Sequence, residues 1–127
     1  MSKKKILIVE DENDVAEVAR EALQADDLEV HVTFDGLSAQ GEIAQLQPDL
    51  ILLDVMLPTM DGFELCRKLK NDSATRHITI VLFTAAPESF IIERVIGVGA
   101  DDYIQKPVDS DKLRSKVRAA LELPPVA

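Results

Sequence analysis

Cysteine and the larger aromatic residues are scarce: the 127-residue chain has one cysteine, one tyrosine and no tryptophan. Because Cys66 is alone, neither a disulfide framework nor a multi-cysteine zinc site can form within the chain. Phe63 and Leu69 flank Cys66 at helical spacing, which predicts an inert, buried thiol on the apolar face of a helix. A chain without disulfides is typical of a reducing compartment, so we expect a cytoplasmic protein.

Long apolar runs are also missing. No stretch reaches the roughly 18 apolar residues of a membrane span, and the N-terminus lacks the apolar h-region of a secretory signal behind its lysines at positions 3–5. The 14 basic and 23 acidic residues give a net charge of −9, which disfavours binding to nucleic acid or to an anionic membrane surface. We therefore expect a protein as the partner, and no direct contact with nucleic acid or membrane.

Short apolar runs alternate with amphipathic segments along the chain. The runs predict strands at residues 5–9, 29–33, 49–53, 78–83 and 102–105. Helical spacing predicts helices at about 13–24, 37–46, from the Asp61-Gly62 turn to about 70, 88–96, and from about 110 to 121. We expect Asn13 to cap the first helix, Gly97 and Gly99 to end the fourth, and Asp109 or Ser110 to cap the fifth.

This alternation predicts an α/β fold in which a five-stranded parallel sheet carries its five helices on both faces. The strand order 2-1-3-4-5 is favoured, which is the flavodoxin-like doubly wound arrangement. Residues 1–123 are expected to form one domain, because the length suits a single core, and residues 124–127 to be a tail or the start of a linker.

Chemically functional side chains follow four of the predicted strands at the point where each strand ends. They are Glu10 and Asp11, Asp54, Thr84, and Lys106, which precedes Pro107. Because the carboxyl ends of parallel strands share one edge of the sheet, we expect these side chains to converge there. Carboxylates can hold a divalent cation, and a hydroxyl and an ammonium can contact a phosphoryl group. The sequence therefore predicts one site for a metal ion and a phosphoryl group.

The motifs ILIVEDE, LILLDVMLPTMDGFEL, Thr84-Ala85 and GADDYIQKP together resemble the receiver domain of bacterial two-component response regulators over nearly the whole chain. The resemblance implies that Asp54 accepts a phosphoryl group from a sensor histidine kinase or a histidine phosphotransfer protein. It implies a Mg²⁺ site formed by Glu10, Asp11, Asp54 and the backbone carbonyl of Met56. The Lys106-Pro107 bond is expected to be cis.

The resemblance also implies a switch. Thr84 and Lys106 would contact the phosphoryl group, and Tyr103 would be the aromatic switch residue that changes the surface of helix 4, strand 5 and helix 5. Such a domain is not an enzyme acting on other molecules, although it assists its own phosphorylation and dephosphorylation. It would control a downstream protein or an output domain, and phosphorylation-dependent dimerisation stays open.

Some positions depart from the commonest pattern of the family. Glu10 stands where Asp is more frequent, which keeps the charge, and Phe83 before Thr84 is bulkier than usual. Met56 and Ala86 occupy positions whose side chains influence the access of water to the phosphoryl group. Because neither can orient an attacking water, we predict slow self-dephosphorylation.

Each assignment has a simpler structural alternative. Asp54 could cap a loop, Thr84 could be an ordinary strand residue, and Tyr103 could merely pack half-buried. At the level of function, the main alternative is a receiver-like interaction module that works without phosphorylation. A flavin protein is disfavoured because Glu10, Asp11 and Glu12 replace a phosphate-binding loop, and an aspartate-nucleophile phosphatase because Val55 and Met56 cannot donate a proton.

Overall fold

Five strands alternate with five helices in the computed structural model, which describes residues 3–58 and 60–125. The elements are β1 (Lys4–Val9), α1 (Asn13–Leu23), β2 (Leu28–Thr33), α2 (Gly36–Leu46), β3 (Leu50–Asp54), α3 (Gly62–Asn71), β4 (Thr79–Thr84), α4 (Glu88–Val98), β5 (Asp102–Gln105) and α5 (Ser110–Ala120). All of the predicted elements are present, with boundaries shifted by one or two residues. Among the described residues, no helix has the length and apolar character needed to cross a bilayer.

The five strands form one parallel sheet in the order β2-β1-β3-β4-β5, which confirms the predicted topology. Every residue of β3 is buried, as expected for the central strand of a sheet that is covered on both faces. The end of β3 therefore places Asp54 beside the ends of β1 and β4 in the middle of the sheet edge.

The core has two layers, one on each face of the sheet. Residues of α2, α3 and α4 pack on one face, and residues of α1 and α5 pack on the other. Cys66 lies in the first layer, fully buried, and its thiol donates a 3.8 Å hydrogen bond to the carbonyl of Val98. The predicted burial of Cys66 is confirmed, and this burial raises the pKa of the thiol to about 11.

Three helix ends settle the predictions about caps. Asn13 is not the cap of α1: it is the first helical residue, the cap position is Glu12, and no side chain caps there. The physical reason is that the Glu12 carbonyl accepts the first helical hydrogen bond, from the Ala16 N–H at 2.9 Å, so the helix starts one residue earlier than predicted and Asn13 lies inside it. For α5, Asp109 rather than Ser110 is the cap, and its carboxylate accepts from the Lys112 N–H.

The expected end of α4 at Gly97 is also wrong. The helix continues to Val98, and Gly99 alone provides the left-handed residue that ends it, with φ of 78°. After α5 the chain reverses at Glu122 (φ 59°), and Arg118 donates a 2.7 Å hydrogen bond to the Pro124 carbonyl. Of the predicted tail at 124–127, residues 126 and 127 lie outside the described part of the chain.

Candidate functional site

Three carboxylates converge at the carboxyl ends of β1 and β3. One oxygen from each of Glu10, Asp11 and Asp54 lies within 4.8 Å of the others. Glu10 is fully buried, Asp54 is 4% exposed, and Asp11 is open to solvent. The set therefore combines two acids that the fold holds in place with one that faces the solvent, where a cation can enter.

Asp54 is fixed from two sides. Its Oδ1 accepts a 3.0 Å hydrogen bond from the N–H of Met56, and its Oδ2 lies 3.6 Å from the Nζ of Lys106. The Met56 side chain is 68% exposed and lies at the rim of the loop that follows β3. The carboxylate is thus held at the end of a rigid strand beside an ammonium group.

The loop after β3 is closed by the start of α3. Asp61 caps this helix by accepting from the Phe63 N–H at 2.9 Å, and the Gly62 N–H donates to the carbonyl of Val55 at 3.0 Å. A Cβ added at Gly62 would lie 2.4 Å from the Asp54 carbonyl oxygen and 2.5 Å from the Val55 Cα. Only glycine permits this close approach, so the sequence Asp61-Gly62 does more than form the turn that its residue types predict.

Lys106 brings a cation to the acids from β5. Its N–H donates to the carbonyl of Thr84 at 2.7 Å, and the following bond to Pro107 is cis, as the resemblance implies. Its Nζ forms an ion pair and hydrogen bond with Glu10 in addition to its contact with Asp54. The ammonium also lies over the ring of Phe83, 4.9 Å from the centroid.

Glu10 has an unusual environment for an acid. Burial raises the pKa of Glu10 to about 7, and the charge of Asp54 adds to the rise, while the hydrogen bond from Lys106 opposes it. Ionising Glu10 in the protein without metal is therefore costly. A divalent cation bound at this edge would favour the ionised form.

Thr84 is buried at the end of β4, and its Oγ1 accepts a 3.1 Å hydrogen bond from the N–H of Ala86. The hydroxyl hydrogen is therefore free to donate elsewhere. The methyl side chain of Ala86 offers no polar group to this region. Thr84, Lys106 and the three acids thus all occupy the same edge of the sheet, as the sequence predicted.

Residues 6–118 match the family model of the response regulator receiver domain. The chain is 38% identical over 119 residues to the DNA-binding dual master transcriptional regulator RpaA of Synechocystis, covering 92% of this chain and 48% of that protein. It is 43% identical over 117 residues to the response regulator PleD of Caulobacter vibrioides, covering 91% of this chain and 25% of that protein.

This chain is a response regulator receiver domain. It spans about half the length of RpaA and a quarter of the length of PleD. The structure is similar to that of a putative response regulator from Chloroflexus aurantiacus, with a TM-score of 0.88 and 30% identity, covering 95% of this chain and 99% of that one. Receiver domains accept a phosphoryl group in two-component signal transduction, where they act with histidine kinases and output domains, and they are not classical enzymes.

The donor set of this receiver domain fits a Mg²⁺ ion, which receiver domains generally bind. Mg²⁺ takes oxygen ligands and keeps several waters, so one or two carboxylates from the protein are enough. The clustered acids supply the oxygens, and the exposure of Asp11 leaves room for waters.

Tyr103 is not part of the acid cluster. Its ring packs half-buried on the side of the sheet that carries α4, and its hydroxyl donates a 2.6 Å hydrogen bond to Glu88 Oε1. In the register of β4 and β5, Tyr103 lies opposite Leu82, two residues before Thr84. The predicted switch residue of this receiver domain thus connects β5 to the first residue of α4.

Sequence reasoning missed one residue near the site of the receiver domain and underrated two others. Glu88 as the partner of Tyr103 had no sequence signal beyond its place at a helix start. Phe83 was noted only for its size, although strand alternation places it on the same face of the sheet as Lys106. Gly62 was interpreted only as part of a turn.

Proposed function

We propose that this receiver domain accepts a phosphoryl group on Asp54 from a partner histidine kinase or histidine phosphotransfer protein, in a reaction that depends on Mg²⁺. The observation that supports this most strongly is the buried Asp54 carboxylate, with two further acids and the Lys106 ammonium in contact or close to it. A lone strand-end aspartate that only capped a loop would not need this surrounding set.

The reaction transfers the phosphoryl group without net oxidation or reduction. An Oδ of Asp54 forms a bond to phosphorus as the bond between phosphorus and the imidazole nitrogen of the donor breaks, and the nitrogen leaves with its electron pair. Glu10, Asp11, Asp54 and the backbone carbonyl of Met56 would hold Mg²⁺, which supplies positive charge to the phosphoryl oxygens. Lys106 lowers the repulsion between the two anions, because its ammonium already lies 3.6 Å from Asp54.

The phosphorylated carboxyl group carries more negative charge and more acceptor oxygens than the carboxylate. The free hydroxyl hydrogen of Thr84 then donates to a phosphoryl oxygen, and the Thr84 side chain shifts toward the site. Tyr103 rotates away from Glu88 into the space that is left, which changes the surface of α4, β5 and α5. That surface controls the downstream partner.

Dephosphorylation is slow in this proposal, and the domain itself supplies the Mg²⁺ site at which it occurs. The residues at the two positions that influence water access, Met56 and Ala86, have no group that can accept a proton from water or orient it. Ala86→Glu or Met56→Asn is expected to shorten the lifetime of the phosphorylated protein. Equal lifetimes in the parent and in both variants would contradict this part of the proposal.

Residues 1–123 form the receiver unit and residues 124–127 a tail or the start of a linker, and the domain works in the cytoplasm. Its partners are the phosphoryl donor and a downstream protein or output domain. Dimerisation through α4 and α5 would depend on phosphorylation.

The test is the intact mass after incubation with acetyl phosphate, with and without Mg²⁺, for the parent and for Asp54→Asn. One phosphoryl adduct that requires Mg²⁺ and is absent from Asp54→Asn is expected. If no adduct forms under any condition, the domain is an interaction module that works without phosphorylation. If Asp54→Asn still forms the adduct, another residue is the phosphoacceptor.

A further inference from the structure

The aromatic ring next to Lys106 is the feature of this site that the proposed function leaves unexplained. Phe83 lies opposite Ile104 in the register of β4 and β5, and Lys106 follows Ile104 by two positions. Phe83 and Lys106 are therefore diagonal neighbours on one face of the sheet, because side chains alternate between faces along a strand. The Lys106 Nζ lies over the ring at 4.9 Å from its centroid, within the range of a cation–π contact.

The ring is held firmly. Phe83 is 4% exposed and belongs to the same apolar layer as Ile104 and Leu113. The Lys106 side chain is 15% exposed, so most of its length is covered as well. A cation–π contact gains strength as the cation loses water, so this contact is stronger than one at the surface.

The three groups next to the ammonium differ in what they do to its charge. Glu10 and Asp54 are acids, and a carboxylate that pairs with Lys106 competes with a phosphoryl group for the same ammonium protons. The face of Phe83 attracts the cation through its quadrupole without accepting the protons that point at the acids. The ring can therefore hold the ammonium in place while the anions around it change.

We propose that Phe83 is a positioning residue that keeps the Lys106 ammonium beside Asp54, ready for the phosphoryl group. This inference rests on the proposed roles of Asp54 and Lys106. Without the ring, the four-carbon stem of Lys106 regains rotamer freedom, and binding a phosphoryl group must then pay for its ordering. Immobilising such a side chain changes affinity by about two- to twelvefold.

The first experiment measures the affinity of the Mg²⁺ form of the protein for beryllofluoride, a phosphoryl analogue, in the parent, Phe83→Leu and Phe83→Tyr. Phe83→Leu is expected to bind about two- to twelvefold more weakly. Phe83→Tyr keeps the ring and is expected to bind within twofold of the parent, because the aromatic face is retained and Phe83 lines a cavity with Val15 and Pro107 that offers space beside the ring. Equal affinity in all three proteins would overturn the proposal.

The second experiment removes the effect of shape. Mono-, di- and pentafluorophenylalanine placed at position 83 weaken the ring quadrupole stepwise while the side chain stays almost the same size. The beryllofluoride affinity is expected to fall with each step, whereas the same series at Phe34, which is 48% exposed, should have no effect. A flat series at position 83 would show that the ring acts only by packing and would refute the cation–π role.

A readout in the unphosphorylated protein separates this inference from the proposed function. The Lys106 Hε protons near the ring face are expected to be shifted upfield in the NMR spectrum of the parent and of Phe83→Tyr, and not in Phe83→Leu. An unshifted Lys106 resonance in the parent overturns the inference whatever the chemistry of Asp54. If the shift is present but acetyl phosphate gives no adduct, the proposed function fails while the contact between Phe83 and Lys106 stands, and its role in phosphorylation fails with the function.

Discussion

Substituting Gly62 by alanine tests how tightly the phosphoacceptor loop is packed. The new Cβ would meet the Asp54 carbonyl oxygen at 2.4 Å and the Val55 Cα at 2.5 Å. Non-bonded heavy atoms are at their best separation at about 3.5–4.0 Å, so β3 and α3 must move apart by about 1 Å. Both contacts are to backbone, which no side-chain rotation can relieve.

The expected cost follows from three terms, of which two are unfavourable and one is favourable. Overpacking of this kind costs about 1–3 kcal/mol, and strain on the hydrogen bond from the Gly62 N–H to Val55 adds about 1 kcal/mol. Replacing glycine by alanine in a helix returns about 0.5–1 kcal/mol, which nearly offsets the second term. We therefore expect the free energy of unfolding of Gly62→Ala to fall by about 1–3 kcal/mol.

The assay is urea unfolding in EDTA, with Gly41→Ala and Gly97→Ala as matched controls. Both control glycines lie inside helices, and an added Cβ at either has no neighbour within 4 Å. These controls are expected to become more stable by about 0.5–1 kcal/mol. If Gly62→Ala gained as much stability as the controls, the close approach of Gly62 to the backbone of β3 would not limit the stability of the fold.

The displacement of β3 from α3 in Gly62→Ala should also slow the phosphorylation of Asp54. Misplacing a reacting group by about 1 Å can cost roughly 10²-fold in rate. Gly62→Ala is therefore expected to react with acetyl phosphate more slowly than its loss of stability alone explains, because the folded fraction stays close to one. A normal rate in the folded variant would mean that the loop recovers its geometry by other movements.

Three further perturbations test the electrostatics. Glu88→Ala should lower the pKa of Tyr103, because the hydrogen bond to Glu88 raises this pKa. Absorbance titration can measure the change directly, since the chain has one tyrosine and no tryptophan. An unchanged titration would mean that the hydrogen bond does not form in solution. In EDTA the free energy of unfolding should fall as the pH rises from about 4.5 to about 7, because folded Glu10 holds a proton that the unfolded chain releases. Urea unfolding at each pH measures this profile, and Glu10→Gln should flatten it over the same range. Arg118→Met should raise the pKa of Asp27, because the hydrogen bond from Arg118 lowers this pKa. The variant should therefore lose more stability at pH 7 than at pH 3. A loss that does not depend on pH would mean that Arg118 stabilises the fold by packing alone.

The sheet could be predicted from the sequence because short strand-like runs alternate with helical segments, of which α1, α3 and α5 have a clear apolar stripe. Parallel strands buried on both faces leave this signal in the chain itself, and β3 shows it in every residue. Once the strand order follows from the alternation, the convergence of Asp54 with Asp11 follows without any side-chain information. The same holds for Thr84, since it ends the neighbouring strand.

What could not be predicted depends on which of several neighbouring groups forms a given hydrogen bond. Asn13 is a residue type that caps helices, but the Glu12 carbonyl accepts the first helical hydrogen bond, and the local sequence does not reveal this shift by one residue. The hydrogen bond between Tyr103 and Glu88 depends on the rotamers of two side chains on different elements. Neither hydrophobic periodicity nor secondary-structure propensity predicts which rotamers these two side chains adopt.

The part of the fold that changes on phosphorylation should be the part that costs least to move. Helix α4 buries two residues, Ile91 and Val98, whereas α3 buries five. The start of α4 is tied to β5 by the hydrogen bond from Tyr103, and the loop before α4 by the Gln105 side chain, which donates to the Ala86 carbonyl at 3.0 Å. On its other side α4 contacts α3, where Phe90 packs on Phe63 and the Val98 carbonyl accepts from Cys66. Since elements with few buried contacts open at the lowest free energy, α4 is expected to move more easily than α3 once Tyr103 is released, while the sheet edge that holds Asp54 stays in place. In the proposed switch, separating a fixed chemical site from a less firmly held helix would allow a phosphoryl group on Asp54 to change an exposed surface without disturbing its own geometry.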